Sequence, residues 1–145
     1  MLEVSRYLFL AGALPFVVLG IAHALATPLT PEEAKGLSPR DPAYRQAMSK
    51  ETVLLTRRTN LWQAWVGFNL SHSLGAVLFG AVILVVGRSA ATFRASSSVF
   101  VPFAVVVSGL YLIIGMRYWF RTPIVGITIS CVLFVASWVL QALAA

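Results

Sequence analysis

Four apolar stretches, at about 7–26, 61–86, 99–116 and 123–143, constrain this 145-residue chain more than any other feature. A run of about twenty such residues is long enough to cross the hydrocarbon of a bilayer as a helix. In that setting no water is present to bond the backbone, and a helix satisfies its N–H and C=O groups within the segment. The expected fold class is therefore all-α: a polytopic membrane protein built as a four-transmembrane-helix bundle. Composition agrees, because 59% hydrophobic residues, 11% charged residues and a mean hydropathy of +0.84 exclude both an ordinary soluble domain and a disordered chain. The expected organisation is a single membrane domain with a polar, partly helical loop over 27–60.

The net charge of +6 does not point to nucleic acid. The cations stand at the ends of the apolar runs among Trp and Tyr, which is how side chains anchor a protein at the two membrane surfaces. Expected partners are membrane lipids and either further copies of the chain or a larger membrane complex, with no nucleic acid. Cys131 is the sole cysteine and lies in an apolar run, so it reads as a small core residue rather than a redox or zinc group.

Four spans put both termini on one side and the long loop on the other. The loop side then carries eight of the eleven cations, which makes it cytoplasmic by the positive-inside rule. The first segment argues the opposite, because Arg6, an apolar run and Ala24-Leu25-Ala26 together resemble a secretory signal. It is long enough to span and is read as a retained helix kinked at Pro15; orientation stays open. The expected location is a bacterial inner membrane.

Within the loop, six cations and four anions are mixed between Thr27 and Asn60. Thr30-Pro-Glu-Glu33 has capping-box spacing and predicts a one-turn helix stopped by Gly36. Asp41-Pro42 starts another helix. Tyr44, Ala47, Met48, Thr52 and Leu55 then recur at spacings of three and four, which predicts an amphipathic helix on the membrane face running toward the second span. Further on, GRSAATFRASSS reads as a short polar connection and RYWFRTP as a tight basic-aromatic turn.

The chemistry concentrates in Arg57–Gly80, where Asn69, Ser71, His72 and Ser73 fall within one apolar helix. Such residues are costly in hydrocarbon and ordinarily face protein, water or a ligand. Asn69, His72 and Ala76 share a face, whereas Gly67, Ser71 and Gly75 form a small-residue stripe that packing against another helix would explain. His23 near the end of the first helix, Arg57, Arg58, Asn60 and Trp62 at the start of the second, and Arg117, Tyr118, Trp119 and Arg121 after the third all belong to the loop side. His23, Arg57, Arg58, Asn60, Trp62, Asn69, His72, Arg117 and Arg121 are accordingly the candidate ligand-binding residues, with no residue assigned to catalysis. Guanidinium groups suit carboxylate or phosphate, and imidazoles suit proton transfer or ligation. The competing readings are an interhelical hydrogen bond for His72 and an aromatic-basic belt for the rest.

A quinone, lipid or isoprenoid needs an apolar cleft and one or two polar groups, and fits this set. A bis-histidine haem on His23 and His72 is disfavoured by depth. His23 lies one turn from a helix end, while His72 lies about 15 Å inside the second span. No metal site is expected, since the expected spans contain no carboxylate, no HExxH and no paired cysteines. Ser71 and Ser73 flank His72 without an acid to orient it.

Ile21-Ala22-His23-Ala24, the mixed polar loop and RTNLWQAWVGFNLSHSLG together resemble an uncharacterised family of small bacterial four-helix integral membrane proteins. The resemblance covers about Gly20 to Gly75 and rests on Trp62, Gly67, Phe68 and Ser71. It implies four spans and lends no activity or ligand. The leading expectation for function is a small integral membrane protein that binds an amphipathic ligand in a His/Asn/Arg pocket. The alternatives are a ligand-free accessory subunit of a larger membrane complex and a small isomerase or oxidoreductase using His72 as acid or base.

Overall fold

The computed structural model describes residues 1–143. Its helices are α1 (Leu2–Ala26), α2 (Pro42–Lys50), α3 (Leu61–Arg88), α4 (Ala90–Tyr118) and α5 (Arg121–Ala142), and the described residues contain no strand. The expected all-α class is therefore what forms. α1, α3, α4 and α5 are each long and apolar enough to cross a membrane, which makes the chain an integral membrane protein. At about 1.5 Å per residue they are roughly 33 to 44 Å long, enough for the hydrocarbon and part of the headgroup zones.

One boundary differs markedly from expectation. The polar connection expected over 87–98 is helical except at Ser89, so α4 starts at Ala90. The physical reason is local. The Ser89 side chain accepts a bond from the Thr92 N–H at 3.4 Å, and the Ser96 hydroxyl donates to the Thr92 carbonyl at 2.7 Å. Ala90 and Ala91 are strong helix formers, so the polar side chains decorate a helix rather than end one. The expected basic-aromatic turn reduces to Trp119 and Phe120, between α4 and α5.

The chain forms two compact units. The first, Met1–Leu19 with Ala76–Ala145, takes in portions of all four long helices. Phe9, Ala13 and Phe16 recur at helical spacing on α1 and are fully buried, while Val4, Tyr7, Leu14 and Val18 on its other faces are exposed. Aromatic rings fill the centre: Phe9 meets Phe93 at 5.4 Å and Phe134 at 5.8 Å, and Phe16 meets Phe79 at 4.6 Å. α1 and α3 touch backbone to backbone at Gly80, where an added Cβ would lie 2.5 Å from Val17 and 3.1 Å from the Ala13 carbonyl oxygen. Polar ties are few and specific. Ser5 and Ser137 are fully buried; their hydroxyls lie 2.9 Å apart and each reaches the other's carbonyl, at 2.9 and 3.0 Å. Arg6 pairs with Glu3 at 2.8 Å and donates to the Gly87 carbonyl at 3.0 Å, satisfying the end of α3.

The second unit, Gly20–Gly75, holds the end of α1, the first part of α3, and the loop with α2. Thr30–Glu33 makes a single turn, closed by the Glu33 N–H on the Thr30 carbonyl at 3.2 Å, where a short helix was expected. Gly36 follows with a φ of +44°, and the Leu37 N–H returns to the Ala26 carbonyl at 3.1 Å. That reversal brings the chain back onto the end of α1 before it could wind further. α2 starts where Asp41-Pro42 predicts, with the Asp41 carboxylate accepting from the Ala43 N–H at 2.8 Å.

α2 ends at Lys50, so Thr52 and Leu55 lie outside the amphipathic helix in which their spacing placed them. β-Branched Thr52 and Val53 favour extended backbone, and the chain turns into a hairpin. Thr52 pairs with Asn60, the Val53 N–H bonds the Thr59 carbonyl at 3.3 Å, and the Leu61 N–H bonds the Glu51 carbonyl at 2.8 Å. The buried residue of α2 is Arg45, whose guanidinium donates to the carbonyls of Pro31 and Pro39, each at 2.8 Å, and of Arg40 at 3.1 Å.

Candidate functional site

The site is built on one stripe of α3. Trp62, Asn69, Ser73 and Ala76 are buried and recur at multiples of the helical period. Asn69, only 7% exposed, is the polar centre. Its Nδ2 donates to the Trp65 carbonyl one turn back at 2.8 Å, and its own carbonyl accepts the Ser73 hydroxyl at 2.9 Å. A carbonyl can only accept, so the Trp65 contact assigns the orientation of the amide and turns Oδ1 away from it.

That oxygen meets His23 Nε2 at 2.8 Å. Because Oδ1 is an acceptor, the proton belongs on Nε2, and a neutral His23 then presents Nδ1 as an acceptor. The backbone of His23 is tied into the end of α1, where its carbonyl accepts the Thr27 hydroxyl at 2.8 Å. The His72 ring completes the group. It meets the His23 ring edge to face at 5.2 Å and stacks on Phe68 at 6.2 Å. Both imidazoles are half-buried.

Each histidine lies about as far inside its own helix as expected, yet the contact puts the two rings at one height, which the difference in depth does not predict. Eleven residues separate His72 from Leu61, and three separate His23 from Ala26. α3 therefore extends about 12 Å beyond the end of α1. The loop packs on that extension, with the Trp62 indole donating to the Leu29 carbonyl at 3.3 Å and its ring against Trp65 at 5.2 Å. Depth no longer separates the pair, but a haem meets a different obstacle. The rings are in direct edge-to-face contact, and His23 Nε2 is held by Asn69, so no planar macrocycle fits between them.

The remaining candidates are placed as follows. Asn60 caps α3: its side chain accepts from the Gln63 N–H at 2.8 Å, and Gln63 returns a bond to the Asn60 N–H at 3.1 Å. Trp62 joins loop to helix. Arg57 and Arg58 are exposed on the returning arm of the hairpin. In the other unit, Arg117 is exposed and lies over the Tyr118 ring at 5.9 Å, and Arg121 is the exposed first residue of α5. Of these candidates, His23 is thus the one that meets two others, Asn69 and His72. Gly67, Ser71 and Gly75 are all exposed, and a Cβ at Gly67 would meet nothing within 4 Å. Among the described residues nothing packs against Gly67.

Two features escaped the reading of the sequence. Asn60-Leu-Trp-Gln63 has the spacing of a reciprocal cap, and that signal was available. Arg45 carries no comparable signal, since nothing in its neighbours distinguishes a buried arginine from a solvated one. Comparison with family models, curated proteins and solved structures found no match to the chain.

Proposed function

We propose that the chain binds an amphipathic membrane ligand, a quinone, lipid or isoprenoid, whose polar head bonds the His23–His72 pair. The observation that carries this reading is the 2.8 Å contact from Asn69 to His23 Nε2, beside a second imidazole at 5.2 Å. An interhelical tie needs only one donor and one acceptor. Here more is ordered: Nδ2 ties the Asn69 amide to the Trp65 carbonyl of its own helix, and Oδ1 so fixed orients the His23 ring beside a second imidazole, which is how a supporting residue holds a binding group. With Nε2 bonded, neutral His23 accepts at Nδ1, which suits a hydroxyl donor: a quinol or an isoprenoid alcohol rather than a fully oxidised quinone. In this reading the host membrane is a bacterial inner membrane, the resemblance over Gly20–Gly75 being to bacterial proteins.

The test is native mass spectrometry of gently extracted protein with a visible spectrum of the same sample. A defined small-molecule mass retained by the parent and lost in His23→Ala and His72→Ala, at unchanged elution volume, supports the reading. Equal retention in both variants rejects it. A second reading is favoured by the open Gly67/Ser71/Gly75 stripe: an accessory subunit that docks a partner helix there. Size analysis in mild detergent separates the two, because a stable hetero-complex that dissociates on Gly67→Leu and carries no small molecule belongs to the accessory subunit alone.

A further inference from the structure

The hairpin between α2 and α3 carries a feature that neither reading of the histidine site uses. Leu54 and Leu55 stand at its tip with relative exposures of 110% and 98%, so their side chains touch almost nothing. They are not on a loose strand. The Thr56 N–H bonds the Val53 carbonyl at 3.1 Å across the turn, the Arg58 N–H bonds the Thr56 hydroxyl at 3.1 Å, and the Thr52–Asn60 bridge closes the base. An ordered turn that presents two leucines outward is an unusual expense for a solvated loop, where turn residues are ordinarily polar. Three exposed cations flank the hairpin, Lys50 before its base and Arg57 and Arg58 on its returning arm, against one exposed anion, Glu51 at the base.

The base of the hairpin adjoins Leu61, the first residue of a membrane helix. Arms of about four residues at about 3.3 Å each keep the tip within roughly 15 Å of that residue. The headgroup zone on each side of the hydrocarbon is about 5 to 8 Å deep, so the leucines have the bilayer surface within reach.

We propose that the hairpin is an interfacial anchor for anionic lipid: Leu54 and Leu55 enter the boundary between headgroups and acyl chains, and Lys50, Arg57 and Arg58 bind the lipid phosphates. The apolar tip supplies the insertion, and the basic bracket selects the charge of the leaflet. A docked soluble protein would have to match the same cations with acidic side chains. The bilayer already lies against the adjoining helix and supplies both the apolar and the phosphate surface.

The experiment uses the full chain in lipid nanodiscs, with Cys131→Ser and an environment-sensitive fluorophore on Leu55→Cys. Discs contain phosphatidylcholine alone or with phosphatidylglycerol, and a neutral quencher, acrylamide, reports access from water. The same label on Ala34→Cys, an exposed loop position, marks full access. Expected are blue-shifted emission and protection from acrylamide with phosphatidylglycerol. The ratio of inserted to withdrawn tip should fall about fivefold for each of Lys50→Gln, Arg57→Gln and Arg58→Gln. Quenching equal to that at Ala34→Cys in both lipids overturns the proposal, as does protection indifferent to lipid charge and to the cations. Protection seen only when another polypeptide co-purifies overturns it in favour of a protein partner. The histidine variants leave this readout unchanged, so the two proposals fail separately.

Discussion

Removing the Arg45 guanidinium should loosen the loop between α1 and α2 without unfolding the membrane helices. Arg45 is 7% exposed, and its three bonds at 2.8, 2.8 and 3.1 Å close carbonyls at residues 31, 39 and 40. None of these carbonyls belongs to a helix, so the side chain takes the place of a backbone partner. Among the described residues Arg45 has no ion-pair partner. Glu32 is nearby, with its carboxyl held below the ordinary carboxylate range by its own backbone N–H, then by the Thr30 hydroxyl, and to a small extent by the charge of Arg45. Hydrogen bonds from a charged donor contribute about 1.5 to 3 kcal/mol each. Three would sum to roughly 4.5 to 9 kcal/mol, but the freed carbonyls regain water and the side chain loses no rotamer freedom in the variant. A net loss of about 2 to 4 kcal/mol in local stability is the reasonable figure for Arg45→Ala. Hydrogen exchange reads it directly. The Glu33, Leu37 and Ser38 amides, which bond the Thr30, Ala26 and Lys35 carbonyls, should exchange about 30 to 700 times faster. Arg45→Lys should fall between, since a single ammonium cannot span the fork. A change below about threefold at these amides would refute the reasoning, because the bonds would then contribute little to loop order.

Two further outcomes follow from the geometry. Gly36→Ala should cost about 1 to 3 kcal/mol in loop stability, because φ is +44° and the new Cβ would run into the Ala26 carbonyl. Faster exchange at Leu37 with unchanged exchange in α5 is the measurement. Ser137→Ala should lower resistance to denaturing detergent by about 0.6 to 1.7 kcal/mol, the range for one interhelical bond in a membrane, with Ser137→Thr recovering part of the loss if the pocket admits the methyl group.

The long helices were legible because hydropathy over twenty residues is a strong signal with a single cause. The start of α4 was not, because Ser and Thr read as connection when they satisfy themselves on their own helix, as Ser96 does on Thr92. Thr52 and Leu55 deceived in the opposite sense. Their spacing continues the phase of α2, but two adjacent β-branched residues and the bridge to the returning arm at Thr59 and Asn60 outweigh a helical period shared by five side chains. At the candidate site, spacing puts Asn69 and His72 on one face but does not tell their burial or their partners. His72 drew attention as the ionisable residue, whereas Asn69 is the buried one that fixes a ring on another helix. Which helix His23 would meet, and at what height, depends on how far α3 overshoots α1. That is a property of loop packing and is written in no single stretch.

The hydroxyl pair that joins α1 to α5 also sets an order of events during synthesis. Ser5 and Ser137 are 132 residues apart, so at about 5 to 20 residues per second the first helix waits roughly 7 to 26 seconds for its partner to be made. Meanwhile the Ser5 hydroxyl can turn back on the carbonyl one turn earlier in its own helix. α1 is therefore an early arrival kept provisionally satisfied, and α5, made more than a hundred residues later, is the helix that releases it into its final place.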